Sequence, residues 1–472
     1  MRVSRWVLAI AAVQFAALLA SASRYGYDRD ELYFIVAGGH PALGYPDQPA
    51  LVPLLSWTMH TVAPSLTLLR TPSALVAAAT TVLAAVVARE VGGGPGAQVI
   101  AAGCTAVSGF ALAVGHFVTT TTFDLLSTTL FLWLLARGVL RGSGPSLLAA
   151  GITVGVGCEA KPQVAFVAVV ALAALLVVGP RAPLRSWWAA AGAAAAVALV
   201  APYAVWQQLH GWPQLTVAGN IGGSAEGGRL GFLPFQLVMV SPFLVPVWVA
   251  GVLAPFRRPA WRPLRFVSLA YAGCGLLYLI GDGKAYYLAS FYPLLLGLGA
   301  VPTASWIATR HRRALLIGAI ATSGVLGAFL ALPVLPVHSL QGSAPAQINP
   351  DLKEEVGWPR FAATVERAWS ALPDRTHTAI FTSNYGEAAA VQLLTGLHAY
   401  SGHNGFALWG RPPDTDTHAL VIGDDHLFAA CRTLARIDDG LGLDNDEQGT
   451  PVSLCRPSAP WSSLWPRLRH YD

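Results

Sequence analysis

At 472 residues, 54% hydrophobic and only 12% charged, the chain is unlike a soluble globular protein, where about a quarter of residues are charged. Its mean hydropathy is +0.51, and apolar runs of about 18 or more residues recur over the first 335 positions, which reads as a mainly α, polytopic membrane protein. The net charge of +5 does not mark a nucleic-acid binder, because the basic residues are arginines in short clusters between apolar runs.

The chain opens on "MRVSR" and "WVLAIAAVQFAALLASAS". The "ASA" resembles a signal-peptidase site, but the segment reads as an uncleaved anchor, since later spans need no separate export signal. Further candidate spans follow it, giving 6–23, 66–88, 97–115, 119–136, 146–160, 162–179, 187–208, 232–253, 266–281, 286–306 and 314–335, eleven in all. With the N-terminus inside, the inner segments carry Arg2, Arg5, Arg89, Arg137, Arg141, Arg181, Arg185, Arg257, Arg258, Arg262, Arg265, Arg310, Arg312 and Arg313. The outer ones carry Arg24, Arg29, Arg70, Lys161, Arg229 and Lys284. Fourteen against six is the asymmetry that orients such a protein, and it favours splitting 146–179 into two spans. Residues 1–336 are then a transmembrane module in the cell membrane with its N-terminus cytoplasmic, and 337–472 lie outside the cytosol.

The first outer loop, 24–65, gathers Asp28, Asp30, Glu31 and Asp47 in a chain that otherwise avoids charge. "DRDELYFIVAGG" reads as a helix with an Asp near its start, acids in the first turn and a Gly stop. Asp30 and Glu31 are adjacent, so about 100° separates them on that helix, and only one can face a ligand squarely. "PALGYPDQPALVPLLSWTMH" then reads as a Pro-rich turn holding Asp47, leading into an amphipathic segment that lies along the membrane surface.

Further along, His116, Asp124, the Glu159–Lys161 turn, the Glu226–Arg229 turn and the Asp282–Lys284 turn fall on the same side as that loop. Ionisable groups near hydrocarbon are costly, so several at one depth suggest a shared polar cavity. Glu226 and Arg229, within the Gly-rich "GNIGGSAEGGRLG", read instead as solvated loop charges.

The tail changes character. "TAIFTSN" and "HALVIGD" read as strands, each followed by a helical stretch, "YGEAAAVQLLTG" and "DHLFAACRTLARI"; "PVSLCRP" reads as a further strand. The alternation predicts a small α/β domain, without a phosphate-loop or dinucleotide fingerprint. Cys104, Cys158 and Cys274 sit in apolar runs as packing residues, whereas Cys431 and Cys455 lie in the polar tail, where an oxidising compartment would allow a disulfide.

In order, the segments "DE", "GYPDQPALVP", "SLTLLRTPSAL", "TTTTFDLL", "GCEAKPQ" and "GDGKAYYLASFYPLLLGLGA", with "SNYGEAAAVQLLTG", "SGHNGFALWG" and "WPRLRHY" in the tail, resemble bacterial members of glycosyltransferase family 39. That family is related to the protein O-mannosyltransferases and the lipid A aminoarabinose transferase. The resemblance implies a GT-C fold and transfer of a sugar from a polyprenyl-phosphate carrier, usually with inversion, to a glycan, lipid or protein acceptor at the outer face of the cell envelope. The family's acidic pair falls on Asp30 and Glu31, with Asp30 the base it implies and Asp28 also within reach of that part.

The residues fit that chemistry independently. An inverting transfer needs a carboxylate to take the acceptor proton, and cations to hold the departing lipid phosphate. Lys161 and Lys284, two of only three lysines, stand at the outer ends of spans, with Arg70 or Arg229 able to share the task. Tyr286 and Tyr287 add aromatics at interface depth for a lipid chain or the aromatic belt. Asp28, Asp47, His116 and Asp124 complete the candidate substrate contacts. Oxygen ligands for a divalent ion could come from Asp28, Asp30, Asp47 and Asp124, but no spacing compels one, so the metal is left unassigned and no cofactor is assigned. The rival function is a secondary transporter or lipid flippase, which predicts repeated halves and midplane binding residues; neither pattern is present.

Overall fold

A computed structural model describes residues 3–221, 228–424 and 426–472, apart from the side chain of residue 221. Arg2 and Glu226 of the preceding arguments lie outside the described residues. The chain folds into two compact units. One comprises Met1–Ala22, Arg70–Trp206 and Ile221–Leu332; the other comprises Ser23–Leu69, Gln207–Asn220 and Pro333–Asp472.

The first unit is helical, as long apolar segments in lipid must be to satisfy their own backbone groups. Among the described residues, six helices are long and apolar enough to cross a membrane: Leu66–Glu90, Thr120–Arg141, Trp187–Leu209, Pro259–Ile280, Ala285–Trp306 and Arg310–Ala331. Two bent pairs raise the number to eight if each is one crossing. Pro95–Ala106 and Gly109–His116 meet at 58°, and Gly228–Val240 and Pro242–Arg257 at 79°. The second break has a local cause: Ser241, at φ 86°, precedes Pro242, whose ring disfavours helical backbone in the residue before it. The eleven full crossings expected from hydropathy are thus not what the helix lengths give. Arg5–Ser21, Gly144–Cys158 and Gln163–Val178 are apolar but only 17, 15 and 16 residues long, short of the roughly 20 that a bilayer takes.

Small residues let the helices close up. A Cβ on Gly251 would meet the Leu295 carbonyl, and one on Gly299 the Val247 carbonyl, so the helices Val245–Arg257 and Tyr292–Trp306 approach backbone to backbone.

The second unit joins the first outer loop to the tail. Its sheet has five strands: β1 Thr378–Thr382, β2 Ala399–Ser401, β3 His418–Ile422, β4 Phe428–Arg436 and β5 Pro451–Pro457, in the order β2-β1-β3-β5-β4. β1 is parallel to β2 and β3, with the helix Tyr385–Thr395 as the crossover between β1 and β2, and β5 is antiparallel to β3 and β4. Phe381, Val421, Cys455, Trp461 and Trp465 form its core.

One expected helix is a strand. "DHLFAACRTLARI" begins outside the described residues at Asp425, and its body forms β4, an edge strand on β5 cross-linked to it by the disulfide Cys431–Cys455. Ala, Leu and Arg favour a helix locally, but the ladder to β5 overrides that preference.

Candidate active site

In the second unit the helix Arg29–Gly38 begins at Asp28, which caps it. The Asp28 carboxylate accepts from the Asp30 N–H at 2.8 Å, and Glu31 Oε2 accepts from the Asp28 N–H at 3.0 Å. This reciprocal box satisfies the orphan N–H groups of the first turn and occupies two of the four loop acids in building the helix. Glu31 is fully buried, at 0% exposure. Gly38 then lets the helix lie against Leu51–Val62, since a Cβ there would strike the Pro53 carbonyl and the Trp57 side chain.

Asp30 is half-buried and points elsewhere: it accepts from the Tyr385 hydroxyl at 2.7 Å. Tyr385 is the first residue of Tyr385–Thr395, whose capping box of Asn384 and Glu387 fixes where the helix starts. Gly386 allows that start to press on Arg29, with only 2.9 Å from its would-be Cβ to the arginine Cβ. Arg29 itself turns to Asp446 at 2.5 Å.

Asp47 is built the same way. Tyr45 N–H donates to the Gln48 carbonyl at 2.8 Å, closing the "YPDQ" turn, and the Tyr45 hydroxyl donates to the Ala37 carbonyl at 2.8 Å, tying that turn to the helix. The Asp47 carboxylate accepts from the Tyr33 hydroxyl at 2.8 Å, while the same hydroxyl accepts from the Gly405 N–H at 3.0 Å. The Tyr33 and Tyr385 rings lie 4.7 Å apart, so two carboxylates hang from two touching phenols. Burial pushes the Asp47 carboxyl up to about 7, against the opposing pull of the Tyr33 hydrogen bond, and the Asp30 charge adds a smaller upward push. Burial, then the neighbouring carboxylates, raise both phenols well above their ordinary range, so each keeps its proton and remains a donor. His40 stacks on Trp409 at 4.4 Å with an 8° tilt, adding an aromatic surface in this unit.

The first unit holds a second polar group. Asp124, 1% exposed, accepts from Thr128 at 3.0 Å and from Ser290. Lys161 donates to Thr121 at 2.9 Å, lies 5.1 and 5.0 Å from the ring centres of Tyr286 and Tyr287, and adds its charge to the field at Asp124. Lys284 stands 5.9 Å from the Tyr286 ring centre, so both lysines gather around Tyr286 and Tyr287 of the turn Ala285–Phe291.

Other expected contacts are built differently. Arg70, fully buried, donates to the Ala22 carbonyl at 2.8 Å and to His116 Nε2 at 3.2 Å; a guanidinium cannot accept, so His116 carries its proton on Nδ1, 3.5 Å from Ser21. Arg229 binds Asp282 through two hydrogen bonds at 2.7 and 2.8 Å and also donates to the Ile280 carbonyl. As for a divalent ion, Asp28 is engaged as a cap, Asp30 and Asp47 each accept from a phenol, and no three of the four acids converge among the described residues.

Sequence reading missed Tyr385 and Tyr33. Tyr33 follows Asp30 by three residues, about one helical turn, and Tyr385 is the first residue after the Asn of the "N-x-x-E" capping box, so both positions carried a signal.

Residues 47–206 match the family model described as dolichyl-phosphate-mannose-protein mannosyltransferase. No curated protein matches the chain. Among solved structures, the apo crystal structure of ArnT from Cupriavidus metallidurans is similar over 95% of this chain and 97% of that one, with 13% identity and a TM-score of 0.64. The same protein bound to undecaprenyl phosphate aligns over 96% and 98%, with 15% identity and a TM-score of 0.60. An oligosaccharyltransferase of Archaeoglobus fulgidus, in complex with zinc and sulfate, covers 83% of this chain and is itself covered to 62%, with 15% identity and a TM-score of 0.54.

Proposed function

From the premise that this chain carries the GT-C fold of membrane glycosyltransferases, we propose that it moves a sugar from a polyprenyl-phosphate donor to an acceptor hydroxyl at the extracytoplasmic face, with inversion. The observation that carries the reading is the pair Asp30 and Asp47, each held by a phenol of the touching tyrosines Tyr385 and Tyr33. Asp30 takes the proton of the acceptor hydroxyl as its oxygen attacks the anomeric carbon; the bond from that carbon to the phosphate oxygen breaks, and the lipid phosphate leaves with the electron pair. Asp47, ionising near neutrality, orients the acceptor hydroxyl. Glu31 and Asp28 hold the helix that presents Asp30. In the first unit, Lys161 and Lys284 supply the positive charge, and Tyr286 and Tyr287 the aromatic surface, that a lipid phosphate and its chain call for.

An ArnT structure bound to undecaprenyl phosphate supports a lipid-phosphate donor for this fold. The disulfide Cys431–Cys455 supports an oxidising compartment for the tail. A cysteine introduced near residue 400 should therefore react with an impermeant reagent in intact cells, and protection in intact but not lysed cells would reverse the orientation.

The decisive test incubates the purified protein with a panel of polyprenyl-phosphate sugars and follows donor hydrolysis or transfer. Turnover of at least one donor by wild type, lost in Asp30→Asn at unchanged expression, is the expected result. Full activity in Asp30→Asn with loss in Asp47→Asn would move the base to Asp47. Lys284→Met and Lys161→Met should raise the KM for the donor about tenfold or more, while acceptor KM stays put.

A further inference from the structure

The second unit contains a group of nitrogen and oxygen donors that the transfer chemistry does not use. We propose that His403, His470 and Asp472 form a transition-metal site suited to Zn(II), outside the Asp30–Asp47 pair. One ligand atom from each lies within 4.8 Å of the others.

The group is assembled by the backbone. His403 and His470 pair as a parallel bridge, with the His470 N–H donating to the Gly402 carbonyl at 2.9 Å and the Asn404 N–H to the His470 carbonyl at 3.1 Å. This sets the two imidazoles side by side, ring centres 4.3 Å apart. Asn404 then clamps residue 472 by both ends of its amide, Nδ2 donating to the Asp472 carbonyl at 3.0 Å and Oδ1 accepting from its N–H at 3.2 Å. The Asp472 carboxylate is thereby delivered to His403 Nε2, which it contacts directly.

The chemistry of the nitrogens agrees with metal binding. His470 Nδ1 lies 2.9 Å from the Leu468 carbonyl, which can only accept, so Nδ1 carries a hydrogen and Nε2 is the nitrogen left to face a metal. An imidazole whose far nitrogen donates to a carbonyl is the usual arrangement of a zinc ligand, because it fixes both tautomer and ring orientation. His403 is 7% exposed, its Nε2 lies against the Asp472 carboxylate, and neither of its ring nitrogens has a hydrogen-bond partner among the described residues. Two imidazoles and one carboxylate suit Zn(II), which takes nitrogen ligands at about 2.0–2.1 Å and leaves a fourth position for water. Calcium and magnesium prefer all-oxygen sites. The site has a route to the carboxylates: the His403 ring packs on Tyr385 at 4.8 Å, and Tyr385 donates to Asp30.

The test uses the full chain in detergent, stripped with EDTA and titrated with Zn(II). Bound zinc is measured by elemental analysis after gel filtration, and thermal unfolding is followed in parallel. The expected result is about one zinc per chain, with a raised unfolding temperature. His470→Ala and Asp472→Asn, both at exposed positions, should each weaken binding by at least about tenfold. His403→Ala could fail through loss of packing, so the two exposed variants decide the matter. Zinc well below one equivalent in wild type, or equal binding by wild type and both exposed variants, would overturn the site. Neither readout depends on sugar transfer, so the result stands apart from the fate of the proposed function.

Discussion

Glu90 and Asp47 belong to different units and are treated in opposite ways. Glu90, at the end of Leu66–Glu90, gives one carboxylate oxygen to Arg137 and the other to Arg141 at 2.9 Å, and Arg141 also takes its main-chain carbonyl at 3.1 Å. Its lone pairs are committed to two guanidiniums that pin one helix to another. Asp47 accepts instead from the neutral hydroxyl of Tyr33, and burial brings its titration to about 7. Opposite charge locks a carboxylate into structure, whereas a neutral partner leaves its proton free to come and go. In the reading proposed above, the phenol-held acids Asp30 and Asp47 are the reactive ones of the second unit, and Glu90, Asp28 and Glu31 are builders.

The largest expected effect tests the reactive side. Asp30→Asn keeps an acceptor for Tyr385 but removes the base, so transfer should fall by about 10²–10⁴-fold while the protein still inserts and purifies. Product formation at saturating donor reads this out, and a loss under about tenfold would break the comparison by making Asp30 structural as well. Glu90→Gln tests the builder side. It should lower the apparent unfolding stability by about 2 kcal/mol, because two arginines lose a charged partner, and leave the rate per folded molecule unchanged. Tyr385→Phe comes next, with a rate loss of about tenfold from a misdirected Asp30 and no change in donor KM.

How much of this was legible depended on whether the signal was local. The "DRDELYFIVAGG" helix, its Asp cap and the strands around "TAIFT" and "HALVI" follow from short-range rules, and Arg29–Gly38, Thr378–Thr382 and His418–Ile422 are where those rules place them. The grouping of Lys161 with Tyr286 and Tyr287 was expected only as a common depth; that a cation faces these rings needed coordinates. "FAACRTLAR" went to a strand because its partner, Pro451–Pro457, is about twenty residues away and invisible to any local preference. Tyr385 lies 355 residues from the Asp30 it holds, a separation no periodicity can report. His403 and His470 are likewise joined only by a bridge between distant segments.

Among the site variants, Asp47→Asn gives the smallest loss of rate and the sharpest sign. The folded carboxyl titrates at about 7 from an ordinary value of 3.8, so the native state binds its proton more tightly than the unfolded chain does. Stability contributed by that proton is fully present below about pH 4 and is lost as pH rises toward 7. Asparagine keeps an acceptor for the Tyr33 hydroxyl and never ionises, so the variant should unfold at a higher temperature than wild type at pH 8, with the gap closing at pH 4 to 5. Its transfer rate at pH 8 should drop by less than about tenfold, and the wild-type inflection near pH 7 in kcat/KM should vanish. A builder, by contrast, destabilises when replaced. An Asp47→Asn protein that melts earlier at pH 8, with the pH 7 inflection intact, would put Asp47 beside Glu90.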